Sequence, residues 1–441
     1  MTTRIRTLVL VWSALACASG PAAAAPTIVG NKQIAWDYLH GDTRLLMIGD
    51  SIQNGIHHFR YEQYKDRLQG VVAGPNYPSS PFLGQDGSYS GFIDPSTRPF
   101  ISPANSGLFL ANQTPPTGVR GANPGATDHV GFTGAAGQPE ANLLTNTALY
   151  YDVVAPFARN ATGTFLVDLL TVANPTGTGA LTFDVRGLST ASGPVPGSVV
   201  LNTQSATTHL QRTQLTVQGD GDPGGLRAGI RLTPGQTPAA GSNLVVSGVR
   251  VRTGQPGLQI AGIGWGGLAT NHFVDPANCS DADLASYLAF TDTNIVQIWI
   301  GQNDGVAADL WEPRIRALID RYKRLRPGVR FLLESTYDTG AGTRFADYAE
   351  VLADIAATDP NVLHLNMYEA LGGASFASSS YLADGVHPTV AGSEYIQGVE
   401  HALLVQAASA VPEPGAAALG AILIAAVGTM RRRRRTSPVH A

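Results

Sequence analysis

The second half of the chain alternates short apolar runs with amphipathic segments, and this alternation constrains the fold more than any other feature. Together with one earlier run, the pattern predicts four buried strands, at 44–48, 295–300, 330–333 and 362–365. It predicts four helices, at 52–68, 309–326, 344–358 and 389–406. Strands and helices that alternate at these lengths form a parallel sheet covered on both faces.

Periodicity also predicts which side chains of two helices face the core. In the first helix these are Ile56, Phe59 and Tyr64. In the second they are Leu310, Ile315, Leu318, Ile319, Tyr322 and Leu325. Each set falls on one side of a helix with 3.6 residues per turn.

A different pattern fills the chain between these two parts. Residues 71–145 are crowded with Gly, Pro, Ser and Asn, and short stretches of alternating polarity follow from 148 to 252. Turn residues separate these stretches about every ten positions, which predicts a β-sandwich of roughly seven strands. In the last stretch we expect Val249 and Val251 to face inward, and Arg250 and Arg252 to face outward.

Composition excludes two broad classes. Of 441 residues 44% are hydrophobic, so the chain can bury a large core and is not globally disordered. The formal charge is −4, but seven arginines lie at the two ends, and the rest holds 22 basic against 33 acidic residues. A nucleic-acid binder needs a basic face, so we expect no nucleic-acid partner.

The amino-terminal end has the features of a secretory signal peptide. Arg4 and Arg6 precede an apolar run over 8–18, and small residues follow to Ala25. We therefore expect residues 1–25 to be a leader removed by signal peptidase near Ala23 or Ala24. A membrane anchor, or a lipoprotein lipidated at Cys17, is the alternative.

The carboxyl-terminal end is tripartite. Val411-Pro412-Glu413-Pro414 precedes sixteen uncharged residues, 415–430, and then five arginines, 431–435. This order resembles the PEP-CTERM sorting signal of Gram-negative bacteria. The resemblance implies a transient transmembrane helix, cleavage by an exosortase, and release to the cell surface or extracellular matrix. The alternative is a permanent anchor, which leaves the body on the same side of the membrane.

Cysteine content rules out several kinds of site. Once the leader is removed only Cys279 remains, so no intrachain disulfide and no Cys-x-x-Cys metal site can form. His57 and His58 have no acidic cluster beside them, and we interpret them as surface residues. We expect no metal and no cofactor.

Three motifs carry the candidate chemistry. Ser51 follows the strand 44–48, where a nucleophile at the carboxyl end of a parallel strand would meet substrate. Asp384 lies three residues before His387, a spacing at which the carboxylate can orient the imidazole that accepts the serine proton. Asn303 follows the strand 295–300, and its amide can donate to a developing oxyanion.

Each motif alone has an ordinary explanation. A serine after a strand commonly caps a helix, and Asn-Asp is a common turn. A second Asp-x-x-His pair, Asp37 and His40, shows that the spacing also arises by chance; it precedes the first strand and lies beside no strand end. The three motifs, however, occur together in one chain, at the ends expected of one sheet, and this combination indicates an active site.

Taken together, the motifs resemble the SGNH hydrolases, also called the GDSL esterase and lipase family. Gly49-Asp50-Ser51 matches the first block, Gly301-x-Asn303-Asp304 the third and Asp384-x-x-His387 the fifth. The resemblance implies a flavodoxin-like three-layer α/β sandwich with a parallel sheet and a Ser51, His387, Asp384 triad.

The resemblance also implies an oxyanion hole formed by Ser51, Asn303 and a glycine of the second block. Within Gly262-Ile-Gly-Trp-Gly-Gly267 we assign that role to Gly267, with Gly266 as the near alternative. Its distance from Ser51 is unusual for the family, and an inserted region explains the gap. We therefore predict hydrolase segments at 26–69 and 256–410, a β-sandwich-like insertion at 70–255 and a sorting signal at 411–441.

Two other readings of the motifs are weaker. Gly262-x-Gly264-x-x-Gly267 has the form of a dinucleotide fingerprint with acidic residues about 20 positions on, but an exported protein meets little NAD. The chain has no Gly-x-Ser-x-Gly elbow, which argues against an α/β-hydrolase fold. Glu334 and Tyr337 follow a further strand. We expect them to have a structural role and regard lining of the substrate cleft as the alternative.

The sequence therefore predicts an exported serine esterase acting through an acyl-enzyme on an ester substrate. Surface delivery and the β-rich insertion favour acetylated extracellular polysaccharide. Two alternatives stay open: a surface or matrix carbohydrate-binding protein on this scaffold, and an O-acyltransferase that uses the same residues with a sugar hydroxyl in place of water.

Overall fold

The structure is a computed structural model that describes fourteen ranges of the chain. These are residues 28–50, 52, 63–73, 101–105, 140–142, 148–153, 157–175, 177–187, 197–207, 209–236, 243–264, 268–276, 280–340 and 342–412. The leader and most of the sorting signal lie outside them, as do His57, His58 and Cys279. Within the described ranges no helix has the length and apolarity that crossing a bilayer requires.

In the part of the chain that the structure describes, sixteen strands form two sheets. In chain order they are β1 Ile28–Gly30, β2 Thr43–Gly49, β3 Leu68–Ala73, β4 Ile101–Asn105, β5 Glu140–Asn142, β6 Ala148–Val153, β7 Thr164–Ala173, β8 Leu181–Gly187, β9 Gly197–Leu201, β10 His209–Gln218, β11 Leu226–Leu232, β12 Asn243–Arg252, β13 Leu258–Gly264, β14 Ile295–Trp299, β15 Arg330–Glu334 and β16 Val362–Leu365. The larger sheet runs β1-β16-β15-β14-β2-β13-β3-β12-β7-β10, with β5 also paired to β12. The smaller runs β4-β6-β11-β8-β9.

Within the described residues, seven α-helices accompany the larger sheet. They are α1 Gln33–His40, α2 Thr270–Val274, α3 Asp281–Thr291, α4 Ala308–Leu325, α5 Arg344–Thr358, α6 Met367–Ala370 and α7 Val390–Ser409. Buried residues of α1 and α7 pack with those of β2 in one hydrophobic cluster, and those of α3, α4 and α5 belong to a second. The parallel strands are thus covered on both faces, as a parallel sheet requires.

The parallel part of the sheet is the predicted α/β core. Strands β16, β15, β14, β2, β13 and β3 pair in parallel, so their carboxyl ends meet at one edge. In this register Gly49 lies opposite both Gly264 and Trp299. The segments that follow these three residues carry the predicted motifs, and we call this side of the sheet the catalytic edge.

The inserted region extends the same sheet. Between residues 148 and 252 the described chain has seven strands, β6 to β12, which agrees with the predicted number. Of these, β12 pairs antiparallel with β3 of the core, and β7 and β10 continue outward. The second sheet packs against this extension, and one hydrophobic cluster runs through both parts of the molecule.

The outward orientation expected of Arg250 is wrong. Val249 and Val251 are buried as predicted, but Arg250 is only 1% exposed. The outer face of β12 is covered, because Arg250 lies over the Phe290 ring of α3 at 5.3 Å. The guanidinium contacts the fully buried Asp168 of β7 at 2.7 Å, and Arg212 contacts the same carboxylate.

Two helix predictions also need correction. Leu310 is 59% exposed, because Trp311 takes the inward position of the first turn of α4 and continues the stripe of Ile315, Leu318 and Tyr322. The helix predicted to reach residue 68 stops earlier, since Leu68 already belongs to β3. Ile56 and Phe59 of that helix lie outside the described residues.

Candidate active site

The catalytic edge brings the described members of the three motifs onto one side of the sheet. Asp50 directly follows β2, and the turn holding Asn303 follows β14. That turn begins with Gly301 at φ +134°, where a Cβ would lie 3.1 Å from the Tyr348 ring. Only glycine adopts this conformation without strain, which explains its place in the motif.

His387 and Asp384 form the predicted pair. Nδ1 of His387 lies 2.8 Å from Oδ2 of Asp384, and the other carboxylate oxygen accepts from the backbone N–H groups of His387 and Val386. This contact at Nδ1 leaves Nε2 of the ring to accept a proton from a nucleophile.

The environment keeps Asp384 ionised. Burial works to raise the pKa of Asp384, but the hydrogen bonds from His387 and Val386 outweigh it and hold the pKa below its usual value. The carboxylate therefore remains available to stabilise an imidazolium. The loop lies just before α7, whose first turn is capped by Thr389 Oγ1 accepting from Gly392 N–H at 3.0 Å.

Tyr337 is hydrogen-bonded to the same loop. Its hydroxyl donates to the carbonyl of Val386 at 2.7 Å, and its side chain is fully buried between Trp299 and Phe376. Burial, followed by the charges of Asp50 and Asp384, raises the pKa of Tyr337 well above its usual value. The hydroxyl thus stays protonated and keeps donating. The sequence located Tyr337 at a strand end but could not reveal this contact.

Asn303, in the segment after β14, forms hydrogen bonds with the segments that follow β2 and β13. Its Nδ2 donates to Oδ2 of Asp50 at 3.2 Å and to the carbonyl of Leu268 at 3.0 Å. Asp50 also accepts from Ile52 N–H at 2.9 Å. The segments after β2, β13 and β14 are therefore connected through a single amide side chain.

Asp304 adds a second connection between the turn after β14 and the segment after β13. Its buried carboxylate accepts from the N–H and the hydroxyl of Thr270, the first residue of α2. The Thr270 hydroxyl accepts in turn from Trp311 Nε1 at 2.9 Å. This fixes the start of α2, two residues after Leu268.

Three predicted participants lie outside the described residues: Ser51, Gly266 and Gly267. Their roles remain predictions. The described neighbours on either side of Ser51 are Asp50 and Ile52, both buried at the catalytic edge.

Other candidates from the sequence fall elsewhere. Glu334 is fully buried at the end of β15. Asp37 pairs with Arg330, and the His40 ring contacts the tilted Trp36 ring, both near the amino ends of the strands. Across the described ranges no group of three or more His, Cys, Asp or Glu side chains is placed to hold a metal ion.

Comparison with known proteins bears on the fold. No family model and no curated protein matches the chain. A solved peptidoglycan O-acetylesterase structure superposes with a TM-score of 0.56 at 14% identity, covering 88% of this chain and 99% of that one. The chain has the α/β fold of the SGNH hydrolases. The matched share exceeds the combined length of residues 26–69 and 256–410, so the match extends into the region between β3 and β13.

Two further solved structures resemble parts of the chain. They are a carbohydrate esterase family 3 protein from Talaromyces cellulolyticus and a GDSL-like lipase from Bacteroides ovatus. The first has 18% identity and a TM-score of 0.27 over 41% of this chain and 80% of that one. The second has 10% identity and a TM-score of 0.30 over 70% and 98%. At these scores the two likenesses add nothing to the fold assignment.

Proposed function

We propose that the protein is an exported serine esterase that removes acetyl groups from extracellular carbohydrate through an acyl-enzyme. One observation carries the proposal: Tyr337, which follows β15, holds the loop of the hydrogen-bonded pair His387 and Asp384 at the same edge of the sheet as Asp50 and Asn303. Ser51 lies between Asp50 and Ile52 in the sequence, and we assign the nucleophile to it.

The geometry supports a two-step reaction. In the first step His387 Nε2 takes the proton of Ser51 Oγ as the oxygen attacks the ester carbonyl, and Asp384 stabilises the imidazolium. The proton then passes to the leaving alcohol and an acyl-Ser51 remains. In the second step His387 deprotonates water, which attacks the acyl carbonyl and releases the acid.

Oxyanion stabilisation in both steps is assigned to Asn303 and to the backbone N–H groups of Ser51 and Gly267. Removal of one such donor typically lowers turnover about 10²–10³-fold. Asn303 is exposed, and its Nδ2 donates to Asp50 and to the Leu268 carbonyl, so one of these hydrogen bonds has to open when the amide donates to an oxyanion.

Two findings support an acetylated carbohydrate as the substrate. The fold is shared with a structure described as a peptidoglycan O-acetylesterase, over nearly the full length of that chain. The Asp384 carboxylate is 46% exposed, so the His387–Asp384 pair lies at an open edge that a polymer can approach.

The paths of the two chain ends are compatible with export and a carboxyl-terminal anchor. Helix α7 begins beside His387 and runs 20 residues, about 30 Å, away from the catalytic edge before the tail follows. Ile28, in contrast, pairs with Leu365 at the carboxyl end of β16.

The direct test is hydrolysis of p-nitrophenyl acetate by the chain without its leader and tail, beside Ser51→Ala. We expect clear turnover that the variant loses, followed by acetate release from O-acetylated glycans. An intact chain whose activity equals that of Ser51→Ala would contradict a serine esterase and favour a carbohydrate-binding protein. Faster acyl transfer to sugar hydroxyls than to water would favour an O-acyltransferase.

A further inference from the structure

Four aromatic side chains form a row from the core to the surface, beside the loop that carries His387. They are Tyr337, Phe376, Tyr381 and Tyr395. Tyr337 at the inner end is fully buried, Phe376 is 3% exposed and Tyr395 at the outer end is 38% exposed. Within the described ranges four large apolar side chains are exposed, and Tyr395 is the one aromatic ring among them.

The outer three rings of this row are stacked. The centroids of Phe376 and Tyr381 lie 6.2 Å apart at 21°, and those of Tyr381 and Tyr395 lie 4.5 Å apart at 9°. Each inner ring covers one face of the next ring. The face of Tyr395 that is turned away from Tyr381 is therefore the open end of the stack.

The stack is attached to the base of the loop that holds the catalytic pair. This loop folds back on itself, because Ala383 N–H donates to the His387 carbonyl at 2.8 Å and Thr389 N–H donates to the Tyr381 carbonyl at 2.7 Å. Tyr381 is thus two residues from the level of His387. At about 3.3 Å per residue this separation is about 7 Å along the loop.

Helix α7 brings Tyr395 to the same place. A Cβ added at Gly392 would lie 2.2 Å from the Tyr381 carbonyl oxygen, so glycine lets the first turn of α7 approach Tyr381 closely. Tyr395 lies three residues further on, on the same side of the helix. Because helical side chains lean toward the amino-terminal end, its ring is directed toward the start of α7, just after His387.

An open, flat aromatic face has a specific chemistry. The face is electron-rich and attracts weakly polarised C–H groups, which a pyranose ring presents on its own faces. The inner rings hold Tyr395 in place, so little side-chain freedom is lost when a ligand stacks on it. A sugar polymer with an acetyl group at His387 also extends beyond the catalytic pair, where a small ester does not reach.

We propose that Tyr395, backed by Tyr381, is a binding platform for a sugar ring of the substrate chain next to the acetylated unit. The inference rests on the proposed function, because it assumes ester hydrolysis on a carbohydrate. The platform touches no reacting atom. Its contact is the same before and during the reaction, so it lowers KM and leaves kcat unchanged.

The test compares polymeric and small esters on the full chain in detergent. Acetylated xylan, acetylated glucomannan and O-acetylated peptidoglycan fragments are the glycan probes, and p-nitrophenyl acetate is the small ester. On the glycan that the wild type hydrolyses fastest, we expect Tyr395→Ala to raise KM about 3- to 10-fold, with kcat within about twofold. Both constants for p-nitrophenyl acetate should be unchanged, which also shows that the variant is folded.

Three further variants provide matched controls. Tyr395→Phe keeps the flat ring and should keep the wild-type KM. Tyr395→Leu keeps an apolar side chain without a flat ring and should lose binding as Tyr395→Ala does. Val405→Ala changes a residue that is 46% exposed on the same helix, about 15 Å further along, and should change neither substrate's constants.

The outcomes separate the platform from the proposed function. An unchanged glycan KM in Tyr395→Ala, an equal rise in Tyr395→Phe or Val405→Ala, or a loss on both substrates would overturn the platform while the esterase assignment stands. A wild type that turns over p-nitrophenyl acetate through Ser51 but none of the glycans would overturn the platform and the carbohydrate substrate together. A wild type that neither hydrolyses the small ester nor reacts at Ser51 with a fluorophosphonate would overturn the proposed function itself.

Discussion

The α/β core and the inserted strands share one continuous sheet, yet they use aspartate in opposite ways. In the core, Asp384 lies in a loop at the catalytic edge with its side chain 46% exposed and paired to His387. In the insertion, Asp168 lies within β7, fully buried and paired to Arg250 and Arg212. The first is open to substrate, whereas the second is enclosed between two layers.

The difference shows that catalytic groups and stabilising ionic clusters occupy different parts of a sheet. Chemistry needs groups at strand ends, where loops leave space for substrate and where a carboxylate can stay solvated. A buried ionic cluster needs the strand interior, where neighbouring strands hold several partners around one charge. We therefore expect changes in the first region to alter turnover and changes in the second to alter stability.

The largest expected effect concerns turnover. His387→Ala removes the group that accepts the Ser51 proton, and we expect kcat to fall about 10⁴-fold or more. Because the side chain lies in a surface loop, urea unfolding should change little. Ester hydrolysis and denaturation curves check the two halves of this prediction. A variant that kept a tenth of the activity would remove His387 from the mechanism.

The second effect concerns stability. Asp168→Ala leaves Arg250 buried without its carboxylate, and we expect the free energy of unfolding to fall about 3–5 kcal/mol. The kcat of the protein that remains folded should be unchanged. Asp168→Asn, which keeps the shape and an acceptor, is the matched control and should cost less. Equal losses in the free energy of unfolding for Asp168→Ala and Asp168→Asn would show that the charge of Asp168 makes no contribution beyond its shape and hydrogen bonds.

The third effect separates pH-dependent stability from catalysis. Burial of His364 on β16 lowers its pKa to about 3. Between about pH 3 and 6.5 the His364 side chain is protonated in the unfolded chain but neutral in the folded chain. The free energy of unfolding therefore falls by about 1.4 kcal/mol for each pH unit of acidification. His364→Leu should flatten this slope in urea unfolding measured from pH 7 to 4. An unchanged slope would assign the acid sensitivity to other groups.

The smallest effect concerns the support of the histidine loop. Tyr337→Phe deletes the hydrogen bond to the Val386 carbonyl and should lower stability by about 1 kcal/mol. We also expect a several-fold lower kcat, because the loop bearing His387 loses a contact. Tyr287→Phe in α3 removes a buried hydroxyl far from the loop and serves as the control. Equal kcat values for both variants would show that Tyr337 has only a packing role.

Local patterns were sufficient for most elements of the core. The helix expected at 344–358 and the strand at 362–365 have those bounds in the structure, and strands at 44–48 and 330–333 are each extended by a residue or two. These elements obey the periods of helix and buried strand, which depend on nearby residues alone. The prediction that Leu310 is buried was wrong, because periodicity does not tell which residue of a helix's first turn reaches the core.

Long-range contacts could not be read in the same way. The alternating polarity of β12 predicted an outward Arg250, because a pattern within one strand cannot show that α3 covers its outer face. The contact between Asp50 and Asn303 likewise joins positions that only the register of the sheet brings together. The motifs located the site, and the fold was needed to show how its parts support one another.

The proposed function depends above all on Ser51 being the nucleophile of a triad with His387 and Asp384. Reaction of the full chain with a fluorophosphonate, followed by peptide mass spectrometry, is the sharpest test of this role. We expect one adduct, on Ser51, which forms at a rate that His387→Ala strongly reduces and which abolishes ester hydrolysis. An adduct on another residue, or full hydrolysis by a chain blocked at Ser51, would contradict it.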